Sequence, residues 1–343
     1  PGAGRTTFRH RNDDNNFYPN SQPQNAYVII CGMGKIVAVD IGGTQIRAAL
    51  FSATSTDPLK HKRIPTHVPG EDPFERLVMA IRSVLPEEGV QAISVAAPGP
   101  LNPQTGIIFS TPNIPGWEEY PLVGKLVERF HIPTYLGNDA NLAALGEWRY
   151  GAGQGYHDVL YITISTGIGG GVISHDRLLL GARGLAAELG HITVLSNGPL
   201  CSCGQRGHLE SVASGPAIAA YVGEQLAAGR RSSLQPGNLT GREVAEAAQN
   251  GDELAREAFI RAGEYLGQAL ADFLHMFDPS IVILGGGVSQ SGALFIETLQ
   301  DSTRRHVMDQ NFLKDLVITT ARLGDNAGLI GALVQAQLKL ENG

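Results

Sequence analysis

Residues 35–52 read KIVAVDIGGTQIRAALFS, and this stretch decides the fold. The run KIVAVDIG predicts a buried strand, Gly42-Gly43-Thr44 a tight turn, and IRAALFS a second strand. Glycines in such a turn let backbone N–H groups approach a phosphate closely, and Thr44 adds a hydroxyl donor. Asp40, at the end of the first strand, is placed to hold Mg²⁺ through water. The stretch therefore predicts a phosphate-binding hairpin, with an ordinary glycine turn as the alternative.

A similar pattern follows in the second half of the chain. DVLYITIS at 158–165 predicts a strand, TGIGGG at 166–171 a glycine turn, and VIS at 172–174 the start of the return strand. A pair of such turns would clamp a polyphosphate from both sides. A third glycine cluster ends the apolar strand predicted at 281–287, where bare backbone can admit adenine or ribose. The predicted nucleotide contacts here are Thr166, Gly167, Gly169, Gly285, Gly286 and Gly287.

Two strand–turn–strand units, each followed by α/β material, predict two related α/β domains facing each other across a cleft. We place the N-terminal domain at 33–137 plus 327–343 and the C-terminal domain at 138–326. Further strands are expected at 92–99 and 133–137. Helices are expected at Pro73–Val84, Leu122–Phe130, Asn138 to about Trp148, Gly215–Ala228, Glu253–Phe277 and Ala327–Leu338.

Composition excludes several classes of protein. Of 343 residues, 43% are hydrophobic and 17% are charged, which is typical of a globular protein and not of a disordered one. The formal net charge of −7 and the lack of a dense basic run argue against nucleic acid as a partner. No stretch approaches the ~18 uninterrupted apolar residues of a membrane span.

Residues 1–32 differ from the rest of the chain. They are polar, rich in Asn, Arg and Pro, and show no period of strand or helix. The cationic-then-apolar order of a signal peptide is missing. Because patterned sequence begins directly after Met33, we expect a leader or tag that is disordered, with Met33 as the natural start.

The segment Gly137-Asn138-Asp139-Ala140-Asn141 stands where a predicted strand meets a predicted helix. One Asp or Asn here can simply cap the helix, but a cap does not require three polar residues. Phosphoryl transfer to a hydroxyl needs a carboxylate that orients the acceptor and takes its proton. Asp139 is the predicted general base, with an ordinary pKa near ~3.9, and Asn138 is expected to donate to a neighbouring sugar hydroxyl.

A metal loop is predicted from His191, Cys201, Cys203 and His208. Two thiolates and two imidazoles form a tetrahedral set of the kind that Zn²⁺ takes in closed structural sites, although a pair of buried cysteines is the alternative. Glu188 lies three residues before His191, so the two share a face of a helical turn. Glu210 is aimed at the same pocket. With only three cysteines, a disulfide framework is not expected, and a reducing cytoplasm is the predicted compartment.

Together these motifs resemble the ROK family (repressors, open reading frames, kinases) of the ribonuclease-H-like, actin and hexokinase superfamily. The resemblance runs from about residue 35 to 338. It rests on DIGGT at 40–44, GNDAN at 137–141, STGIGGG at 165–171, ELGH at 188–191, CSCGQRGHLE at 201–210 and GGG at 285–287. It implies two actin-like ATPase domains, Asp139 as general base, and a homodimer or homotetramer.

The resemblance also implies hexose contacts from Asn113, Asn138, Asp139, Glu188, His191 and Glu210. Asn113 lies in PNIPGW, a stretch similar to the sugar loop of the family's glucokinases. His191 would then serve both sugar and zinc. The family loop usually ends in a cysteine where this chain has His208. Since imidazole is a competent zinc ligand, we expect the site to persist with altered affinity.

The function expected from this resemblance is ATP- and Mg²⁺-dependent phosphorylation of a hexose, with glucose favoured. A kinase for N-acetylmannosamine, N-acetylglucosamine, mannose or fructose is the first alternative, because pocket contacts of ~1–3 kcal/mol separate such substrates. The second is a sugar-responsive regulator of the same family. Such repressors carry a helix-turn-helix domain, and the unpatterned residues 1–32 do not supply one.

Overall fold

A computed structural model describes residues 6–7, 34–111 and 114–341. The predicted leader therefore lies outside the described residues, except for Thr6–Thr7, and so does the predicted sugar contact Asn113. Thr6–Thr7 form a two-residue strand at one sheet edge. Among the described residues, no helix combines the length and apolar character needed to cross a membrane.

The described residues form thirteen strands and nine α-helices. The strands are β1 Thr6–Thr7, β2 Lys35–Ile41, β3 Gln45–Ser52, β4 Pro58–Pro65, β5 Val90–Ala97, β6 Leu101–Asn102, β7 Ile107–Ile108, β8 Thr134–Asn138, β9 Val159–Ile164, β10 Ile168–Ser174, β11 Arg177–Leu178, β12 Ile281–Gly285 and β13 Val317–Thr320. The helices are α1 Pro73–Val84, α2 Leu122–Phe130, α3 Asp139–Tyr150, α4 Glu210–Ala213, α5 Gly215–Ala227, α6 Gly241–Gln249, α7 Glu253–Phe277, α8 Ala293–His306 and α9 Ala327–Glu341.

The strands form two main sheets built on one plan. The first has the order β4-β3-β2-β5-β8, and the second has the order β1-β13-β12-β9-β10-β11. In each sheet a hairpin, β2–β3 or β9–β10, is antiparallel, and its first strand pairs in parallel with a later strand, β5 or β12. The predicted fold class, two related α/β units of the ribonuclease-H-like type, is confirmed. The exact domain boundaries remain a prediction.

Alternation along the strands separates three apolar layers. In β2, Ile36 and Ala38 face a middle layer that also receives Val159 and Tyr161 of β9. Val37 faces the opposite side, toward α1 and α2. Helices α3 and α9 occupy the middle layer, between the two sheets. The core that joins the sheets is therefore a helix pair, and each sheet covers its other face with helices of its own.

Helices α3 and α9 touch at the backbone. A Cβ placed on Gly331 would lie 1.7 Å from the carbonyl oxygen of Leu142, and one on Gly146 would lie 2.8 Å from the carbonyl oxygen of Ala327. Such distances leave no room for a methyl group. Two glycines therefore permit the close approach of the helix pair, and the apolar side chains of both helices pack around that contact.

Most predicted elements are confirmed. The bounds of α1, α2 and α7 match those predicted, because Asp72 and Asp252 cap the first turns of α1 and α7 and set where they begin. Strand β4, helices α6 and α8, and strand β13 were not predicted. Helix α6 carried a readable signal, since Thr240 and Glu243 form a capping box.

The predicted glycine turn at 166–171 is wrong in its second half. The turn ends near Gly167, and Gly169 to Gly171 lie inside β10. A Cβ on Gly169 would lie 2.8 Å from the Cβ of Ala140, and one on Gly171 would lie 2.5 Å from the Cβ of Ala144. These glycines are therefore needed because α3 packs directly against the strand, and not because the chain turns there.

We expect Gly331→Ala to destabilise the protein by about 3 kcal/mol, the upper range for overpacking, because its methyl group collides with the carbonyl of Leu142. Gly223→Ala in α5 is the matched control, since nothing lies within 4 Å of its Cβ position. That control should stabilise the protein by up to about 1 kcal/mol. Urea unfolding of both variants measures this, and equal stabilities would contradict the backbone contact.

Candidate active site

A cavity of about 750 Å³ opens between the two sheets. It is lined by the β2–β3 turn, the start of α3, the β9–β10 turn, the end of β12 and the start of α9. Most of the predicted site residues meet here: Asp40, Gly42, Thr44, Asn138, Asp139, Thr166, Gly167, Gly169, Glu188, Glu210, Gly285, Gly286 and Gly287. Gly43 and His191 are not part of the lining, and Asn113 lies outside the described residues.

Asn138 and Asp139 have different roles at the start of α3. The Oδ1 atom of Asn138 accepts hydrogen bonds from the backbone N–H groups of Ala140 and Asn141, at 3.0 and 3.1 Å, and so caps α3. The amide NH₂ of Asn138 is not used by this cap. Asp139 follows in the first turn, where its Oδ1 accepts from the N–H of Ala140 at 2.7 Å. Because Asn138 supplies the cap, the carboxylate of Asp139 is left facing the cavity.

Asp139 does not keep the ordinary pKa that the sequence predicted. Desolvation by the surrounding protein raises the pKa of Asp139 to about 6, and the negative charges of Asp40 and Glu188 raise it further. The hydrogen bond from the N–H of Ala140 acts in the opposite direction. A carboxylate with such a pKa is a stronger proton acceptor than a free one and is still deprotonated at neutral pH.

Arg47 is a cavity residue that the sequence reasoning missed. The β2–β3 register places Arg47 directly opposite Asp40, and its guanidinium donates to the Asp40 carboxylate and to the carbonyl oxygen of Asp325. Burial raises the pKa of Asp40, while the charge of Arg47 acts to lower it. The signal was present, because a tight turn centred on Gly43 and Thr44 pairs position 40 with position 47.

The predicted metal ligands cluster beside the cavity. The ligand atoms of His191, Cys201, Cys203 and His208 all lie within 4.8 Å of one another. Cys201 Sγ is 3.6 Å from His191 Nδ1, and Cys203 Sγ is 3.2 Å from His208 Nδ1. A tetrahedral Zn²⁺ with bonds of about 2.3 Å to sulfur and 2.0 Å to nitrogen has ligand separations of this size. The four residues therefore fit a closed zinc site.

Glu210 joins this loop to the second glycine turn. Its Oε1 accepts a hydrogen bond from Ser202 Oγ at 2.7 Å, and its Oε2 accepts from the N–H of Ile168 at 3.0 Å. A Cβ on Gly167 would lie 2.5 Å from the same Oε2, so the turn needs a glycine where the carboxylate passes. Burial raises the pKa of the nearby Glu188 carboxyl group. The charge of His191 acts to lower that pKa, and the charge of Glu210 acts to raise it.

A carboxylate at a helix start, flanked by two glycine turns and set in a cleft between two α/β units, defines a protein of the actin-like ATPase class. The chain belongs to the ROK family, whose model matches residues 36–339.

Several relatives share nearly the whole matched length. A glucokinase from Thermotoga maritima is 35% identical over 304 residues, covering 87% of this chain and 96% of that protein. The crystal structure of a ROK family glucokinase from Streptomyces griseus, in complex with glucose and AMPPNP, is 35% identical with a TM-score of 0.74, over 88% of this chain and 98% of that one. A ROK hexokinase from Thermus thermophilus is 38% identical with a TM-score of 0.78, over 90% of this chain and all of the other.

We expect Cys203→Ala to lower both zinc content and thermal stability, because three ligands hold the loop less tightly than four. Sugar affinity should fall as well, through displacement of His191. Zinc content by mass spectrometry, melting temperature and calorimetry with glucose measure the three effects. His175→Ala removes an exposed imidazole outside the four-residue set and should leave zinc content at about one ion per chain. Unchanged zinc and melting in Cys203→Ala would contradict the site.

Proposed function

We propose that the protein transfers the terminal phosphoryl group of ATP to a hexose, with glucose as the favoured substrate and its 6-hydroxyl as the acceptor. The observation that carries this proposal is the placement of Asp139. Its carboxylate faces a cavity that both glycine turns also line. The glucokinase relatives, one of them bound to glucose and AMPPNP, support the same reaction and substrate.

In this proposal the sugar binds beside the start of α3. Asn138, through the amide NH₂ that its helix cap leaves unused, and Glu188 and Glu210, through their carboxylates, would hold the sugar hydroxyls. Asn113 and His191 are proposed as further contacts. Multiple directional hydrogen bonds fix the acceptor hydroxyl in line with the phosphoryl donor, which removes an entropic part of the barrier. Closure of the two units would exclude water, a competing acceptor.

Asp139 is the proposed general base. It would accept a hydrogen bond from the 6-hydroxyl and orient a lone pair of that oxygen toward the terminal phosphorus of ATP. It would then take the proton as the new oxygen–phosphorus bond forms and the bond from that phosphorus to the β-phosphate oxygen breaks, which releases ADP. The raised pKa of about 6 favours this late proton transfer. Asp139 therefore both positions the acceptor and receives its proton.

Two metal ions belong to the proposal. Asp40 is the residue that would hold Mg²⁺ through water, and Mg²⁺ would neutralise charge on the donor phosphates. His191, Cys201, Cys203 and His208 would hold Zn²⁺, which would order the sugar-binding loop and take no part in the chemistry. The predicted glycine residues of the three turns would present backbone N–H groups to the phosphates and the nucleotide.

The proposal also includes the predicted domain division at 137/138 and 326/327, a homodimer or homotetramer, and a cytoplasmic location. The division is supported by the positions of α3 and α9, which start beside those boundaries and fill the layer between the sheets. Light scattering of the purified chain measures the oligomer.

The deciding experiment is an assay of ADP release with Mg·ATP against a panel of hexoses. We expect glucose to give the highest kcat/KM. A higher value for N-acetylmannosamine, N-acetylglucosamine, mannose or fructose would change the substrate and keep the base and fold. No turnover on any sugar, with sugar binding still measurable by calorimetry, would contradict the kinase and favour a sugar-responsive regulator.

We expect Asp139→Asn to lower kcat by about 10²–10⁴-fold, because the amide cannot accept the proton. Sugar affinity should change little, since the side chain keeps its shape. In the wild type, kcat/KM should fall about tenfold per pH unit below about pH 6, where the base becomes protonated. Wild-type turnover in the variant would remove Asp139 from the base role.

The same variant has a second readout that does not depend on activity. The folded-state pKa of Asp139, about 6, lies above the ordinary value of 3.8. The folded state therefore binds the proton more tightly, and stability is lost as pH rises from about 4 to above 6. Asp139→Asn should raise the melting temperature at pH 7.5 and have little effect at pH 3.5.

A further inference from the structure

Two arginines face each other across β3 and β4 at the cavity. The antiparallel register pairs Arg47 directly with Arg63, so both side chains project from the same face of the sheet with Cβ atoms about 5 Å apart. Both residues line the cavity. The neighbouring Lys62 pairs with Ala48, whose side chain is buried in the apolar layer on the opposite face. Strand alternation therefore places Arg63 and Lys62 on opposite faces.

The two arginines differ in their partners. Arg47 is held by the Asp40 carboxylate and the Asp325 carbonyl oxygen. Arg63 is exposed and takes part in none of the ion pairs formed between described residues. Like charges placed directly opposite on a sheet repel each other, and the Asp40 carboxylate pairs with Arg47. The carboxylates of Asp139, Glu188 and Glu210 also line the cavity, but among the described residues none of them forms an ion pair with Arg63, so its guanidinium is available to a bound anion.

The end of β4 is fixed against the first glycine turn. Thr66 is buried, its Oγ1 donates to the carbonyl oxygen of Gly42 at 2.6 Å, and its N–H donates to that of Thr44 at 2.9 Å. Arg63 precedes Thr66 by three residues, and the Arg47–Arg63 pair is two residues along the hairpin from the Gln45–Pro65 pair, about 7 Å at strand spacing. A phosphate chain held at the turn would therefore lie within reach of Arg63.

We propose that Arg63 binds the terminal phosphates of the phosphoryl donor, next to Arg47. This inference rests on the proposed function and adds a donor-binding residue to it. The planar guanidinium offers two parallel N–H donors that match two phosphate oxygens, and it keeps its charge at every working pH. The chemistry recognised is a chain of linked phosphates, which ATP and linear polyphosphate share.

The test compares Arg63→Ala with Lys62→Ala at saturating glucose. Both variants remove one positive charge from the same exposed strand, but only Arg63 faces the cavity. We expect Arg63→Ala to raise KM for Mg·ATP about tenfold and to leave KM for glucose unchanged. Lys62→Ala should change neither by more than about twofold. Arg63→Lys should restore part of the loss, and AMPPNP affinity by calorimetry should follow KM.

Several outcomes overturn the assignment. Equal increases in KM for ATP in both alanine variants would indicate a general charge effect, and no increase in Arg63→Ala would exclude the contact. The same measurements with linear polyphosphate as the phosphoryl donor distinguish the two sources of linked phosphates. Matching increases for ATP and polyphosphate support the assignment, whereas an increase confined to polyphosphate would place Arg63 beyond the third phosphate of ATP and overturn it. Failure of the kinase itself is distinct, because the wild type would then turn over no sugar.

Discussion

The backbone contact between α3 and α9 is the constraint on which the rest of the structure depends. Gly331 and Gly146 let the two helices approach until main-chain atoms touch, and both sheets then pack against this pair. The start of α3 carries Asp139, and the start of α9 faces Asp40, since a Cβ on Gly328 would lie 2.9 Å from that carboxylate. The carboxylates of Asp40, in β2, and Asp139, which follows β8 of the same sheet, are therefore aligned by the spacing of one helix pair.

The same closeness explains the electrostatics of the cavity. Asp40 and Glu188 both act to raise the pKa of Asp139, because the fold places three carboxylates around one opening. Repulsion of this kind would weaken the unliganded protein unless cations balanced it. Arg47 supplies one such cation from the neighbouring strand of the same hairpin. The two arginines at the cavity thus lie on β3 and β4, while Asp139, the proposed proton acceptor, lies on α3.

Much of this fold could be predicted from the sequence, because hydrophobic periodicity and helix-capping residues are local signals. Pro73–Val84 was predicted with its correct bounds, since Asp72, the proline and the spacing of apolar residues agree. Strand β4 was missed because its residues are almost all exposed at a sheet edge and show no apolar alternation. Gly169 to Gly171 are wrongly predicted as a turn, because a glycine cluster does not reveal whether it permits a bend or the close approach of a helix.

Part of the candidate site could likewise be predicted from the sequence, and part could not. Motif spacing alone brought together Asp139, the glycine turns and the four metal-loop residues, since each lies at a strand end or in a short loop. Arg63 was missed because its importance depends on the register of β4, a strand that was not predicted. Arg47 could have been found from the β2–β3 turn, which pairs it with Asp40. The pKa of Asp139 depends first on desolvation by the folded protein and then on the charges of Asp40 and Glu188, so its own neighbours in sequence could not indicate it.

The carboxylate of Glu210 has a consequence beyond its own contacts. Ser202 Oγ and the backbone N–H of Ile168 each donate a hydrogen bond to a different oxygen of Glu210. The metal loop and the β9–β10 turn are therefore anchored to the same side chain. Because the two segments share this anchor, they do not become ordered independently. A ligand that immobilises one segment reduces the conformational entropy that the other segment still has to lose when it becomes ordered. By reciprocity, any coupling of this kind has the same size whichever segment binds its ligand first. In this protein, coupling between the metal loop and the β9–β10 turn would pass through one side chain.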